Sequence, residues 1–401
     1  MKRLCFGRQP ADTRYRYHPG LPFSEGLPRS NSTAFSAMSR NFYLTSNKGN
    51  MLIGEGSCRI FDYDRNYSCM LSVHVLYDAY KGSKEAMDLL NNNFDALVLP
   101  MANEIRPNLN HASLLKVLEQ IKIPVVVLGM GMQNELEDLS SLEPATVDML
   151  RWIDEKARVF GVRGTHTEGW LKKMGFKNPT ALGCPSMMLY PENILGIKAP
   201  KGKPTDYRFV TAGYLQKKSV RGRQLAKFFT GQKCSYVFQD EIFQFKDELQ
   251  GRTFFDDSRS QLSQAIFEPL MNEAIGAPAP FDKYFYFDSV EAWRQCYGWH
   301  DIFIGDRFHG GVAALQVGLP TAILFKDLRV KELSEFFGVP HTTVDKACNM
   351  EIEAFMAEYL SEQKIAAFHD TYRTRLRNFH RHLTEAGMAM TENYQASLMA
   401  A

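Results

Sequence analysis

Short apolar runs alternate along much of this chain with longer amphipathic stretches. In the first half, FDALVLP, IPVVVLGMGMQ and ARVFGVRG predict strands, and HASLLKVLEQI, PATVDMLRWIDEKA and THTEGWLKKMG predict helices. Strands that alternate with helices of this length are typical of a parallel sheet in a doubly wound α/β domain.

The same order of elements begins again in the second half. RFVTAGYL, KCSYVFQD, KYFYFD, DIFIGD and LPTAILF predict strands, and RGRQLAKFF, EAWRQCYGW, HGGVAALQVG and RVKELSEFFG predict helices. The segment 195–207, rich in Lys, Pro and Gly, predicts a linker. We therefore expect an α/β fold with two doubly wound domains, over residues 46–195 and 196–345, that face one another across a cleft.

The two ends of the chain differ from this pattern. Residues 1–45 are polar and rich in Arg, Pro, Gly and Ser, and they predict an irregular N-terminal arm. Residues 346–401 predict mainly helices. No short internal repeat is visible, so the two halves share only their order of elements.

Composition narrows the classes of protein. The chain has 401 residues, of which 45% are hydrophobic, and a formal net charge of +2. Since Lys and Arg are spread along the chain, an extended nucleic-acid-binding surface is not expected, whereas a local cationic pocket remains possible. The 7 cysteines are widely spaced without a CxxC pair, so neither a zinc ribbon nor a disulfide framework is predicted.

The chain shows no targeting segment. Its basic start lacks the apolar core of a signal peptide, and no run approaches the roughly 18 apolar residues of a spanning helix. We expect a cytoplasmic protein with reduced thiols, at most peripheral to a membrane. The oligomeric state is not predicted.

The strongest chemical signal lies in DIFIGDRFHGG. Asp306, Arg307 and His309 follow a predicted central strand and precede Gly310 and Gly311, at the start of a helix. Ligands of open α/β sheets bind beyond the carboxyl ends of the strands. We therefore predict an anion site that can also move protons. The helix start and the guanidinium bind anions, the imidazole carries a proton, and the two glycines permit close backbone approach. For Arg307 alone, the simpler interpretation is a salt bridge with an acidic residue. For His309 alone, it is packing in the core.

The first domain repeats this arrangement more weakly. Arg163 ends a predicted strand, where a salt bridge is as plausible as a ligand contact, but with Arg307 across a cleft it would help to hold a small, highly charged anion. The loop 129–133, which contains Gly131 and Gln133, either contacts a ligand or only makes a tight turn, because it is not a GxGxxG motif. Asn50, in a segment without a Walker motif, is a candidate polar contact.

Other candidates are weaker. Glu241 is a possible acid or base, and His380 and His382 point to different faces of a predicted helix, which does not favour a metal site. Some aromatic residues are candidates for stacking on sugar rings, with core packing as the simpler alternative: Tyr63, Tyr67, Trp170 and Tyr214.

Taken in order, KGNMLIGEGSCRIF, IPVVVLGMGMQ, the VRG-to-GCPS block and IGDRFHGGVAALQVGLPTAIL resemble the polysaccharide pyruvyl transferase family over about residues 48–345. The resemblance implies a GT-B-like fold of two Rossmann-like domains. It maps the family's phosphoenolpyruvate-binding Arg-Leu-His motif onto Arg307, Phe308 and His309. The Arg-Asp pair usual in the first domain of bacterial members appears here as Arg163 and Gly164.

This resemblance implies transfer of a pyruvyl group from phosphoenolpyruvate to a hydroxyl pair of a polysaccharide, glycolipid or lipid-linked saccharide precursor, with formation of a cyclic ketal. Phosphoenolpyruvate is a co-substrate, and neither a metal nor another cofactor is expected. His309 is the first candidate for proton transfer, and Arg307 is the first candidate for binding the phosphate. Asp306 either orients these two residues or has only a structural role. The alternatives are a GT-B-type glycosyltransferase that uses a nucleotide-sugar and a non-catalytic glycan-binding protein.

Overall fold

The computed structural model describes residues 2–7, 47–70, 73, 84–217, 219–256, 259–287, 289–392 and 394. Within them the chain forms two α/β domains, each built around one sheet. The strands of the N-terminal sheet are β1 (Leu4–Phe6), β2 (Cys69–Met70), β3 (Ala96–Pro100), β4 (Val125–Met130), β5 (Val159–Val162) and β6 (Pro179–Ala181). The helices of this half are α1 (Gly49–Arg59), α2 (Lys84–Asn93), α3 (Ala112–Gln120), α4 (Pro144–Lys156), α5 (Thr165–Lys173) and α6 (Pro191–Leu195).

The second domain is built in the same way. Its strands are β7 (Arg208–Thr211), β8 (Lys233–Phe238), β9 (Phe255–Asp256), β10 (Gln261–Leu262), β11 (Lys283–Tyr286), β12 (Ile302–Gly305), β13 (Thr321–Phe325) and β14 (His341–Thr343). Its helices are α7 (Val220–Phe228), α8 (Lys246–Leu249), α9 (Gln264–Ile275), α10 (Val290–Tyr297), α11 (Phe308–Gln316), α12 (Leu328–Phe337) and α13 (Val344–Cys348). Two further helices follow, α14 (Ile352–Tyr359) and α15 (Glu362–Glu385).

The strand order of each sheet confirms the doubly wound α/β class. The N-terminal order is β2-β1-β3-β4-β5-β6, and all its pairs are parallel. The C-terminal order is β14-β13-β12-β7-β8-β11-β10-β9, in which β10 pairs antiparallel with both β11 and β9. The chain reverses direction across the sheet between β1 and β3, and again between β7 and β12. Such reversals are where open α/β sheets bind ligands.

Continuous apolar runs explain why the central strands are buried on both faces. Every residue of β4 and of β12 is buried, which is the pattern expected of a parallel strand covered by helices on each side. Gly338 ends α12 with a positive φ of 71°, a conformation that favours glycine, and thereby turns the chain into β14.

One expectation for the chain ends is wrong. Leu4, Cys5 and Phe6, which lie in the segment predicted to be an irregular arm, form the buried strand β1 between β2 and β3. A run of three residues is too short to show the alternation of a strand in the sequence. The strand is recognised only from its pairing with β2 and β3. The remainder of the predicted arm, residues 8–45, lies outside the described residues.

Helix α15 carries the end of the chain back to the first domain. The hydroxyl of Tyr372 donates to the carbonyl of Met187 at 2.7 Å, and the backbone N–H of Asp62 donates to Ala389 at 3.0 Å. The helices predicted after residue 346 are therefore observed, and they cover residues of both domains in one hydrophobic core. Among the described residues, no helix combines the length and apolar character needed to cross a bilayer.

A buried ion pair joins the domains behind the cleft. Arg294 on α10 donates to both carboxylate oxygens of Glu55 on α1, each at 2.7 Å, and both side chains are almost fully buried. Arg294 also donates to the side chain of Gln316 at 3.0 Å, and Gln316 in turn donates to the carbonyl of Ser186 at 2.8 Å. This network connects the end of α11 to the first domain.

Candidate functional site

A cavity of about 500 Å³ lies between the two domains, at the carboxyl ends of strands from both sheets. Its first-domain wall follows β3, β4 and β5 and includes the start of α1. Its second-domain wall follows β7, β8, β12 and β13. The cavity is lined by Asn47, Asn50, Ala102, Asn103, Glu104, Arg106, Gln133, Arg163, Tyr214, Arg221, Gln239, Asp240, Arg307, Phe308, His309, Asp327, Arg329, Val330 and Leu333.

Arg307 lies on the second-domain wall, at the N-cap position of α11, with its side chain 6% exposed. Its Nη2 donates to Asp240 at 2.7 Å and to Glu241 at 2.8 Å, and its guanidinium lies 4.7 Å from the centre of the Tyr214 ring. Burial lowers the pKa of Arg307, but the charges of Glu241, Asp240 and Asp306 outweigh it and hold the pKa above its ordinary value. Arg307 therefore stays cationic in the cavity wall.

Glu241 lies behind Arg307 and does not line the cavity. Burial raises the pKa of its carboxyl to about 7, against the opposing effect of the Arg307 charge. The hydroxyl of Tyr236 donates to Glu241 at 2.8 Å. The sequence indicated Glu241 as a possible acid or base, and the structure places its carboxylate against Arg307, where it orients the guanidinium.

His309 lies on the cavity wall in the first turn of α11, in contact with the first domain. Its Nε2 is 3.5 Å from the Sγ of Cys184, which itself lies 3.0 Å from the hydroxyl of Ser186. A Cβ on Gly49 would come within 2.6 Å of the Cβ of His309, so only glycine at the start of α1 permits this contact. The imidazole is therefore positioned by residues of both domains.

Asp306, the third residue of the predicted group, is buried and does not line the cavity. Its carboxylate accepts from the Nε of Arg221, a cavity residue that also lies 5.5 Å above the Tyr214 ring. Burial raises the pKa of Asp306, while the charges of Arg221 and Arg307 oppose this effect. The hydrogen bond of Asp306 thus goes to Arg221, and the orienting role that this structure supports for Asp306 concerns that arginine.

Arg163 provides the positive charge of the first-domain wall. Its Nε donates to the carbonyl of Gly129 at 3.0 Å and its Nη1 donates to Asn103. Its side chain is buried, and this burial lowers the pKa to about 10. Arg163 and Arg307, predicted to meet across a cleft, line the same cavity.

The predicted glycine contacts with a ligand stay predictions, and the structure shows what the missing side chains allow. Gly131 lines the back of Arg163, since a Cβ there would come within 2.5 Å of the Arg163 Cδ. Gly310 and Gly311 face the sheet, where a Cβ would meet Ala212 at 2.8 Å and Ile323 at 2.3 Å. None of the three lines the cavity. Their lack of a side chain allows close packing of α11 and of Arg163.

The other predicted contacts are placed as follows. Asn50, Gln133 and Phe308 line the cavity, and Gln133 accepts from Arg106 at 3.3 Å. Of the aromatic candidates, Tyr214 lines it, whereas Tyr63, Tyr67 and Trp170 do not. His380 and His382 lie on α15, away from the lining.

Three cavity arginines were missed by sequence reasoning: Arg106, Arg221 and Arg329. Arg329 lies in the first turn of α12, where its Nη2 donates to Asp327 at 3.4 Å and burial lowers its pKa. Its position after the strand LPTAILF was a usable signal, because this loop also lies at a carboxyl end. Arg221 had no such signal, since it follows the strand end by ten residues.

The lining is cationic overall. Among the described residues it contains five arginines against three carboxylates, namely Glu104, Asp240 and Asp327. The N-terminus of α11 opens onto the same space and has no side-chain cap. Unpaired N–H groups, the helix dipole and an excess of guanidinium groups together favour an anionic ligand.

The fold and the cavity define a two-domain, GT-B-like α/β protein with an arginine-rich cavity between its domains. The polysaccharide pyruvyl transferase family model matches residues 47–324, and the chain belongs to this family. Membership implies a transferase that acts on polysaccharide.

Comparison with solved structures gives distant similarity. HepE of Anabaena, in complex with UDP and glucose, is 9% identical, with 96% of this chain and 99% of that chain covered and a TM-score of 0.47. A UDP-forming alpha,alpha-trehalose-phosphate synthase of Burkholderia vietnamiensis is 10% identical, with 90% and 84% covered and a TM-score of 0.42. No curated protein sequence matches the chain.

Proposed function

We propose that this protein transfers a pyruvyl group from phosphoenolpyruvate to two hydroxyl groups of a glycan acceptor and so forms a cyclic ketal. The observation that carries the proposal is the cavity that Arg163 and Arg307 share with the uncapped start of α11, in a chain of this family. Phosphoenolpyruvate presents a phosphate and a carboxylate on one small frame, and a cationic cavity of about 500 Å³ suits both groups.

The chemistry requires one proton donor and cationic groups that bind the phosphate. A proton added to the methylene carbon creates an oxocarbenium-like centre, and a first acceptor hydroxyl attacks it and loses its proton. The bond between this carbon and the phosphate oxygen then breaks, and the second hydroxyl attacks and loses its proton. One proton ends on the new methyl group and the other on the released phosphate. No step of this scheme uses a metal or a further cofactor.

His309 is assigned the proton transfer, and Arg307 the stabilisation of the departing phosphate. Such acid–base help is worth roughly 10²–10⁴-fold in rate. His309 suits this role because the first domain positions its ring at the cavity wall. Arg307 suits the second role because its charge is secured by Asp240 and Glu241.

Binding tests the donor assignment. Calorimetry of the full chain is expected to show binding of phosphoenolpyruvate, and Arg307→Ala is expected to weaken it at least about 30-fold, as for loss of one partner of a buried charge pair. Since this change leaves two carboxylates without their partner, Arg307→Ala combined with Glu241→Gln is measured as well. Arg208→Ala, at the opposite end of β7, is the control.

Turnover tests the proton donor. With phosphoenolpyruvate and a panel of oligosaccharides, the wild-type protein is expected to release phosphate and to add one pyruvyl ketal to an acceptor, detected by mass spectrometry. His309→Gln should abolish turnover while its dissociation constant for phosphoenolpyruvate stays close to the wild-type value. A larger thermal shift with UDP-glucose than with phosphoenolpyruvate would contradict the proposal and favour a nucleotide-sugar donor.

A further inference from the structure

Gln239 is a buried cavity residue that the chemistry above does not use. It directly follows β8, is 1% exposed and contributes to the cavity lining. Its Nε2 is buried and has no hydrogen-bond partner among the described residues. A buried amide nitrogen without an acceptor destabilises a fold, so one that lies at a cavity wall calls for a ligand that supplies the acceptor.

The surroundings of Gln239 indicate the chemistry of that ligand. The next two residues, Asp240 and Glu241, both accept from Nη2 of Arg307. The Nε of Arg307 is also buried without a partner among the described residues. Two residues of one wall, beside the uncapped start of α11, therefore each carry an unmet buried donor. A phosphate group carries only acceptor oxygens when fully ionised, so it is the kind of ligand that a wall rich in donors favours.

Building on the proposed function, we propose that Gln239 is a ligand-binding residue whose side-chain amide donates from Nε2 to a phosphate oxygen of the donor substrate. Rotation of the amide about its terminal torsion exchanges Oε1 and Nε2, and it turns the donor into the cavity with no change in the backbone. Gln239 and Arg307 then hold the phosphate on the second-domain wall.

The test uses Gln239→Met, which keeps the size of the side chain and removes both polar atoms. Calorimetry of the full chain is expected to show roughly tenfold or greater weakening for both inorganic phosphate and phosphoenolpyruvate, as for a hydrogen bond to a charged group. The ligand-free variant is expected to melt at a temperature at least as high as the wild-type protein, because an unmet buried amide has been removed.

Gln232→Met is the matched control. Gln232 immediately precedes β8, about 20 Å from Gln239 along the strand, does not line the cavity, and has a buried Oε1 without a partner among the described residues. This variant is expected to bind both ligands as the wild-type protein does. Gln239→Glu, which lacks the donor and adds a negative charge, is expected to bind phosphate more weakly than Gln239→Met.

Several results would overturn the inference. Unchanged affinity in Gln239→Met would do so, as would a clearly lower melting temperature, which would indicate a structural role. Loss of phosphoenolpyruvate binding with phosphate binding retained would place the contact elsewhere on the donor. Failure of the wild-type protein to bind phosphoenolpyruvate would instead refute the proposed function, and the phosphate measurements would still test Gln239.

Discussion

At the scale of single residues, the cavity depends on charges that are held in place by other charges. Arg307 is cationic because Asp240 and Glu241 surround its Nη2, and Arg221 is held by Asp306. These pairings join residues between 66 and 85 positions apart. Position after a strand end therefore predicted Arg307, His309 and Arg163, whereas the partners that fix them depend on tertiary contacts that a sequence pattern does not contain.

The pKa of Glu241 predicts a pH dependence of stability. The pKa of this carboxyl is about 7 in the folded protein, against 4.5 for an ordinary glutamate side chain, so the folded state binds the extra proton. Stability contributed by that proton is fully present below about pH 4.5 and is lost as the pH rises through about 7. We expect Glu241→Gln to remove this dependence, so that its free energy of unfolding falls less between pH 5 and pH 8 than that of the wild-type protein.

Urea denaturation at several pH values measures this difference. Glu248→Gln is the control, because Lys217 lowers the pKa of that carboxyl and it therefore titrates below this window. If the free energy of unfolding changed equally with pH in Glu241→Gln and in the wild-type protein, Glu241 would have to stay ionised beside Arg307 over the whole pH range.

At the scale of elements, the start of α5 is capped from the other domain. The carboxylate of Glu332 on α12 accepts from the backbone N–H of Thr167 at 2.6 Å and from its hydroxyl at 2.8 Å. A negative charge at a helix start is favourable, so this contact stabilises both α5 and the domain arrangement. Gly164 makes it possible, because a Cβ there would lie 2.6 Å from the Cγ of Glu332.

This packing predicts the outcome of placing an acid after Arg163. Gly164→Asp is expected to destabilise the protein, because its Cβ overlaps Glu332 and its carboxylate lies beside a second one. The backbone is not the obstacle, since φ at Gly164 is −171°. In the double variant Gly164→Asp/Glu332→Ala, Asp at the N-cap is expected to bind the freed N–H groups and to restore most of the stability.

A double-mutant cycle of unfolding free energies tests this coupling. We expect the two single changes to be strongly non-additive, as is usual for residues in contact. Additive effects would show that Glu332 moves aside without cost. The departure from the Arg-Asp pair of bacterial members was visible in the sequence, but the carboxylate that occupies its surroundings comes from a helix more than 160 residues away.

At the scale of the whole molecule, alternation of strands and helices was sufficient to predict two doubly wound domains. Some of the elements it missed have a pattern that is short or interrupted. β1 has three residues, and α9 contains Pro269 in its interior. The return of α15 to the first domain was not predictable either, because a helical period indicates a buried face and not its partner.

The domains also meet at several contacts outside the cavity wall, and among these the buried pair of Arg294 and Glu55 should contribute most to stability. Arg294 and Glu55 form a two-pronged pair in the interior, so Arg294→Met leaves the buried carboxylate with only the partly exposed Arg59, whose Nε lies 3.0 Å from Glu55, as its cation. We expect a loss of up to about 3 kcal/mol in the free energy of unfolding, because Arg59 compensates only part of the buried charge. Arg208→Met is the matched control, since Arg208 and Asp301 also form two bonds but are partly exposed, and its effect should stay below about 1 kcal/mol.

Chemical denaturation followed by tryptophan fluorescence and by far-UV circular dichroism measures both variants. Trp293 neighbours Arg294 in α10 and reports on the interface. If the ion pair holds the domains together, the unfolding transitions seen by fluorescence and by circular dichroism should no longer coincide in Arg294→Met. The interface then opens before the sheets unfold. Replacing Glu55 by Gln in the same chain removes the stranded charge and should recover part of the loss. Equal losses in Arg294→Met and Arg208→Met would show that Arg59 or water compensates Glu55, and that the apolar core shared by the domains, rather than the Arg294 pair, maintains the cleft.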